Sequence, residues 1–163
     1  MAEGDAELAD LYRDSLLDYY RSTSHKGTLP HPDLRSHGVN PVCGDEIELT
    51  LNRRRGGIGE IRYSGHGCVI SQASGAIMAE ALEGQPLDAA RSLIESFRGL
   101  LLKNAPADSL PEALEEAKAL EGVRKFPVRI KCALLPWNTL RLVLDPGAPK
   151  GAAEYWENGE AKP

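Results

Sequence analysis

The chain has little cysteine, three residues in 163, and few aromatic residues, 6 %. An odd and small cysteine count cannot form the disulfide framework that staples small secreted domains. The thiols are therefore either buried and inert or present for chemistry. No apolar run approaches the ~20 residues that a membrane span needs. No long basic stretch offsets the net charge of −5, which argues against a nucleic-acid partner. The run Arg53-Arg54-Arg55 is short, is followed by Gly56-Gly57, and reads as a solvated hairpin tip. Residues 1–10 are acidic and lack the basic-then-apolar layout of a signal peptide, so the expected compartment is the cytosol. What is there is ordinary for a globular protein: 42 % hydrophobic and 26 % charged residues. The length suggests one domain with a core that needs no staples.

Leu8, Tyr12, Leu16 and Tyr19 recur at helical spacing and predict an amphipathic helix over 6–21. Residues 22–41, rich in Ser, His, Gly and Pro, predict a loop. The strict alternation of Glu46-Ile47-Glu48-Leu49-Thr50-Leu51 predicts a half-buried strand, and Ile58 to Ser64 its antiparallel return. From Ser71 the period becomes helical, with Ile77, Met78, Ala81 and Leu82 on one helix and Leu87, Ala90, Ile94, Phe97 and Leu101 on the next. Leu110, Leu114, Ala117 and Leu120 predict a third helix. Pro127 biases its predecessor away from helix, so Phe126 to Lys131 is expected to be extended, with a last helix carrying Ala133, Trp137, Leu140 and Leu144. Pro136 sits awkwardly there: either this helix starts after Cys132 or it bends. Residues 1–145 are expected to form one domain and 146–163 a polar, loosely held tail. Strands early and helices late give an α+β fold, helices on a small antiparallel sheet.

The cysteines carry the chemistry. Cys43 lies in Asn40-Pro41-Val42-Cys43-Gly44-Asp45, where a turn can aim a thiolate and a carboxylate at one point. Cys68, in Gly65-His66-Gly67-Cys68-Val69-Ile70-Ser71, follows a strand and opens a helix, whose free amides and dipole favour a thiolate. Cys132, in Arg129-Ile130-Lys131-Cys132, is expected at another helix start, with two cations beside it. Three thiolates and the Asp45 carboxylate make a four-coordinate set suited to zinc. Such a site carries a formal charge of about −2 and calls for cations nearby. In an extended segment Arg129 and Lys131 share one face, which either lies near the site or is a basic patch for a partner. His66, between two glycines, reads as a turn residue rather than a ligand. His25, His31 and His37 have no spacing that fits a site.

Asn-Pro-x-Cys-Gly-Asp, Gly-x-Gly-Cys-x-Ile-Ser and Arg-x-Lys-Cys-Ala-x-Leu-x-Trp, in that order between Leu11 and Leu144, resemble the IscU-like family of iron–sulfur assembly proteins, above all its SufU-type branch. The resemblance implies an IscU-like fold and zinc held by Cys43, Asp45, Cys68 and Cys132. It implies a SufS-type partner, a pyridoxal-phosphate cysteine desulfurase that makes a persulfide. Cys43 looks like the sulfur acceptor, released when a histidine of the desulfurase takes its place on zinc. Arg129 is implied to engage the desulfurase, with Lys131 beside it. The implied activity is that of a zinc-dependent sulfurtransferase serving iron–sulfur assembly. The alternative is a scaffold on which a [2Fe–2S] cluster is assembled and held transiently. Two features favour sulfur transfer. Classical scaffolds carry a histidine immediately before the third cysteine, where this chain has Lys131, and the helix Leu110–Leu120 looks like the insertion that marks the SufU-type branch.

Overall fold

The computed structural model describes residues 2–145 and 152–156, with side chains described for 12–145. The chain opens with helix α1 (Ala2–Arg21), followed by strands β1 (Leu34–Asn40), β2 (Asp45–Arg54) and β3 (Gly57–His66). Helices α2 (Val69–Leu82) and α3 (Leu87–Leu102) come next. A 3-10 segment (Glu112–Lys125) leads into α4 (Pro127–Leu144), and a last strand, β4 (Ala152–Trp156), closes the order. β1, β2 and β3 pair antiparallel, and β4 joins the outer edge of β1 in parallel. The architecture is α+β, with helices packed on one face of the sheet.

The alternating strands behave as their pattern requires. Ile47, Leu49 and Leu51 of β2 meet Ile61 and Tyr63 of β3 on the helix side, all buried. Arg55 and Gly56 both take positive φ (52° and 77°), the two-residue turn whose twist suits a hairpin. Phe97 of α3 and Trp137 of α4 stack with centroids 4.1 Å apart in the middle of the helical layer. Leu16 and Tyr19 pack α1 against this core.

Four expectations change. β1 lies inside the predicted loop, because its inward positions include Ser36, Gly38 and Asn40, so the alternation is real but not hydrophobic. These residues have work to do against α4. Ser36 Oγ donates to the Thr139 carbonyl at 2.8 Å. A side chain at Gly38 would lie 1.9 Å from Thr139 Oγ1, so only glycine lets the strand and helix approach. The segment around Leu110–Leu120 is a 3-10 segment rather than an α-helix, broken at Leu114 (φ −103°, ψ 19°) and opened by Pro111. Its inward residues Leu114, Ala117 and Leu120 are nonetheless buried.

The third change concerns α4. Pro127 does keep Phe126 extended (φ −127°, ψ 92°), but it is itself the first residue of the helix, a position where a missing N–H costs nothing. Cys132 therefore lies in the second turn, not at the start. α4 continues through Pro136, which removes the helical donor for the Cys132 carbonyl. The fourth concerns the expected loose tail: Ala152–Trp156 is a strand, with Ala-Ala-Glu-Tyr-Trp free of the Gly and Pro that flank it. The remainder of that tail, 146–151 and 157–163, lies outside the described residues.

Candidate metal centre

β1 and β2 form a hairpin whose strands end on the pair Asn40↔Asp45. The loop between them, Pro41 to Gly44, closes with Gly44 N donating to Asn40 O at 2.9 Å and with Gly44 at φ +73°. That geometry puts Cys43 on the loop and Asp45 at the first inward position of β2. Val42 beside it is 67 % exposed, and Cys43 itself is half-buried.

Asp45 is buried at 1 % exposure. A buried carboxylate needs compensation, and α2 supplies part of it. Cys68 caps the N-terminus of α2, and its backbone N–H donates to Asp45 Oδ1 at 2.9 Å, where the helix dipole favours negative charge. The Cys68 Sγ lies 3.9 Å from Asp45 Oδ2. Gly67 makes this possible, since a Cβ there would stand 2.6 Å from Asp45 Oδ1 and 2.5 Å from Ser71 Oγ. Cys132, in the second turn of α4, is fully buried.

One thiol each from Cys43 and Cys132 and a carboxylate oxygen of Asp45 all lie within 4.8 Å of one another. Ligand atoms on a tetrahedral ion with bonds of about 2.0–2.3 Å lie roughly 3.3–3.8 Å apart, so small adjustments bring this set into range. Cys68 falls outside that group, with its Sγ beside Asp45; if its sulfur joined, the set would be three sulfurs and one oxygen. The donor chemistry fits a soft, four-coordinate divalent ion.

Electrostatics point the same way. Burial, with Asp45 and Cys43 as hydrogen-bond partners and Cys68 beside it, pushes the Cys132 thiol well above its ordinary range. A thiol in that position stays protonated until a cation joins it. Asn40 Nδ2 approaches Cys132 Sγ at 3.9 Å, while Asn40 Oδ1, fully buried, has no hydrogen-bond partner among the described residues. Cys132 is held from behind, because Ser74 Oγ of α2 donates to the neighbouring Ala133 carbonyl at 2.6 Å and accepts from Trp137 Nε1 at 2.9 Å.

Arg129 lies one helical turn before Cys132, on the same face. Its guanidinium is raised in pKa first by the charge of Cys68 and then by Cys132, so it stands against both sulfurs. Lys131 is exposed, and on a helix two residues are about 200° apart, so it does not share that face. The shared face expected from an extended segment is thus corrected. His66 Nε2 lies 3.3 Å from Glu46 Oε2, and His37 Nε2 lies 2.5 Å from Glu46 Oε1. Glu46 follows the inward Asp45 in β2 and faces the other side of the sheet, so both histidines are engaged away from the thiols. The His37 hydrogen bond holds the Glu46 carboxyl below its usual range. Sequence reasoning missed Asn40 and Ser74. Asn40 had a signal in its place two residues after a small inward Gly38, while Ser74 is one of many small residues in α2 and carried none.

The family model for the NifU-like N terminal domain matches residues 11–133. The chain is 36 % identical over 136 residues to the zinc-dependent sulfurtransferase SufU of Bacillus subtilis (strain 168), covering 83 % of this chain and 90 % of that protein. It is 33 % identical over 135 residues to the iron-sulfur cluster assembly scaffold protein IscU of Thermotoga maritima, covering 82 % and 92 %. A crystal structure from Fervidobacterium islandicum AW-1, titled as a candidate iron-sulfur cluster assembly scaffold protein for the SUF system, superposes with a TM-score of 0.73 at 28 % identity, covering 81 % of this chain and 95 % of that one. With a matching family model over most of its length and relatives that it covers nearly end to end, the chain belongs to the NifU-like N-terminal domain family, the IscU-like proteins of iron–sulfur cluster assembly.

Proposed function

We propose that the protein is a zinc-dependent sulfurtransferase that accepts persulfide sulfur from a pyridoxal-phosphate cysteine desulfurase of the SufS type and relays it to iron–sulfur assembly in the cytoplasm. The observation that carries this reading is the convergence of Cys43, Asp45 and Cys132 within 4.8 Å, with Cys43 alone among the three on a hairpin loop and partly open to solvent. Cys43, Asp45, Cys68 and Cys132 would hold the ion. When bound, zinc supplies the positive charge that keeps thiolates deprotonated at neutral pH.

In the transfer itself, the Cys43 thiolate attacks the terminal sulfur of the donor's persulfide. The donor's S–S bond breaks, a new S–S bond forms on Cys43, the proton stays on the transferred sulfur, and the donor departs as a thiolate. Arg129, against Cys68 and Cys132, offsets negative charge while the loop thiol is engaged. Its exposed position also suits it to meet the desulfurase. Lys131 lies nearby on α4 as a second exposed cation.

A cluster scaffold is the second reading, supported by relatives named as IscU scaffolds at similar identity. Lys131 in place of a histidine weighs against it, since a protonated amine is a poor ligand. The freshly purified protein should carry about one zinc per chain and stimulate a cysteine desulfurase, and Cys43→Ala should abolish the stimulation. Undiminished stimulation by that variant would remove Cys43 from its role. A stable visible chromophore on anaerobic reconstitution, with transfer to an apo-ferredoxin, would favour the scaffold.

A further inference from the structure

A cleft of about 940 Å³ opens between α1, the 3-10 segment and the start of α4. Its walls carry Arg13, Arg124, Lys125 and Arg129, one from α1, two from the end of the 3-10 segment and one from α4. Among the described residues one carboxylate lines it, Glu121, and that is tied to Arg124 at 2.8 Å. Arg124 is further committed to the Leu100 and Ala105 carbonyls, so it is structural. Arg13 and Lys125 are exposed and have no ion-pair partner among the described residues. The floor is apolar, with Leu16, Ile70 and Val123. In a chain with a net charge of −5, a cleft lined by four cations and, among the described residues, one carboxylate stands out.

We propose that this cleft binds a small multivalent anion carrying carboxylate or phosphate groups, immediately beside the thiol site. The volume lies within the range of small-molecule sites, roughly 300–1,000 Å³, and the plan is the usual one, an apolar base with a few polar groups placed to orient the ligand. Guanidinium groups match carboxylate and phosphate geometry, and Lys125 adds a mobile point charge. The apolar floor suits the carbon body between the anionic groups. Arg129 joins the two sites, because it lines the cleft and stands against Cys68 and Cys132. An anion there is therefore held one side chain away from the sulfurs. The proposal stands apart from the sulfur-transfer reading, since it concerns binding alone.

The test is titration of the full-length, zinc-loaded chain with two weakly chelating probes, tricarballylate for the carboxylate source and fructose 1,6-bisphosphate for the phosphate source. Binding is read by calorimetry and amide NMR shifts, with zinc content measured before and after. At least one probe should bind with a Kd of about 1 mM or tighter at low salt. Raising the salt to physiological strength should weaken it several-fold. The double reversal Arg13→Glu/Lys125→Glu should weaken it about 10-fold, and the milder Arg13→Gln/Lys125→Gln should act in the same direction. The reversal Arg35→Glu, on the outer face of the sheet, should leave it unchanged. The tighter probe names the anion, and equal binding points to charge alone; both support the cleft. No binding of either probe at about ten times that concentration, or affinity untouched by the double reversal, would overturn it.

Discussion

Cys43 and Cys132 meet at one point from opposite mechanical situations. Cys43 rides a four-residue hairpin loop, half-buried beside an exposed Val42. Cys132 sits inside a helix with no exposed surface, its neighbour Ala133 tied to Ser74 and its thiol facing the Asn40 amide. The same functional group thus serves two ends. A thiol that must leave a site and react needs a segment that moves independently of the core. A thiol that must keep an ion in place needs a frame that does not. On the proposed reading, the difference between the loop thiol and the helix thiol would turn a set of ligands into a device with one reactive member.

The comparison breaks first at the loop. Cys43→Ser should lower sulfur acceptance by about 100-fold or more, because the nucleophile is gone, while leaving the fold intact. In the zinc-depleted protein, iodoacetamide should alkylate Cys43 about 100-fold faster than Cys132, the one being accessible and the other buried with its thiol pushed high. Peptide mapping by mass spectrometry checks both. Comparable rates at the two cysteines would erase the distinction.

Gly67→Ala tests the frame around Asp45. The added methyl meets Asp45 Oδ1 at 2.6 Å and Ser71 Oγ at 2.5 Å, so the carboxylate must move. Zinc affinity, measured by chelator competition, should fall about 10-fold, with a stability loss of about 1–3 kcal/mol from overpacking. Ser74→Ala acts on the helix thiol alone. It leaves the Ala133 carbonyl and Trp137 N–H without their shared partner, for about 1–3 kcal/mol by chemical denaturation. Cys132 should then become more open to alkylation, with Cys43 unchanged.

The smallest effect is expected far from both thiols. The buried Tyr63 hydroxyl has no hydrogen-bond partner among the described residues, and burial pushes its pKa up to about 12. A pKa raised in the folded state means that the neutral phenol is favoured there. Tyr63 therefore contributes fully below the unfolded value near 10, and the contribution is lost as pH rises from about 10 to 12. Tyr63→Phe should be neutral or stabilising by up to about 1 kcal/mol at pH 7 and should flatten that alkaline decline. A marked loss of stability at neutral pH would show a partner for the hydroxyl.

How much of this was legible in the sequence follows from which residues face inward. Ile47, Leu49 and Leu51 alternate with charges, and so β2 and its hairpin could be read directly. Cys68 could be placed between strand and helix because Gly65 and Gly67 punctuate the change of period. β1 could not, because its inward side is Ser36, Gly38 and Asn40, chosen for contact with α4 rather than for hydrophobicity. Pro127 reads equally well as a break or as the first residue of a helix, and only packing against the rest of the helical layer decides for the second. The candidate ligands were nameable as residue types in motifs. The unequal footing of Cys43 and Cys132 was readable in outline, a loop against an expected helix start; what was not readable is that Cys132 lies fully buried in the second turn of α4.

The most direct measurement is the site of sulfur loading. The zinc-loaded protein is incubated with a pyridoxal-phosphate cysteine desulfurase and cysteine, trapped by alkylation, and mapped by mass spectrometry. One added sulfur atom on the Cys43 peptide, with Cys68 and Cys132 unmodified, is the predicted result. Sulfur on Cys68 or Cys132, or none on any cysteine while the desulfurase turns over, would contradict it.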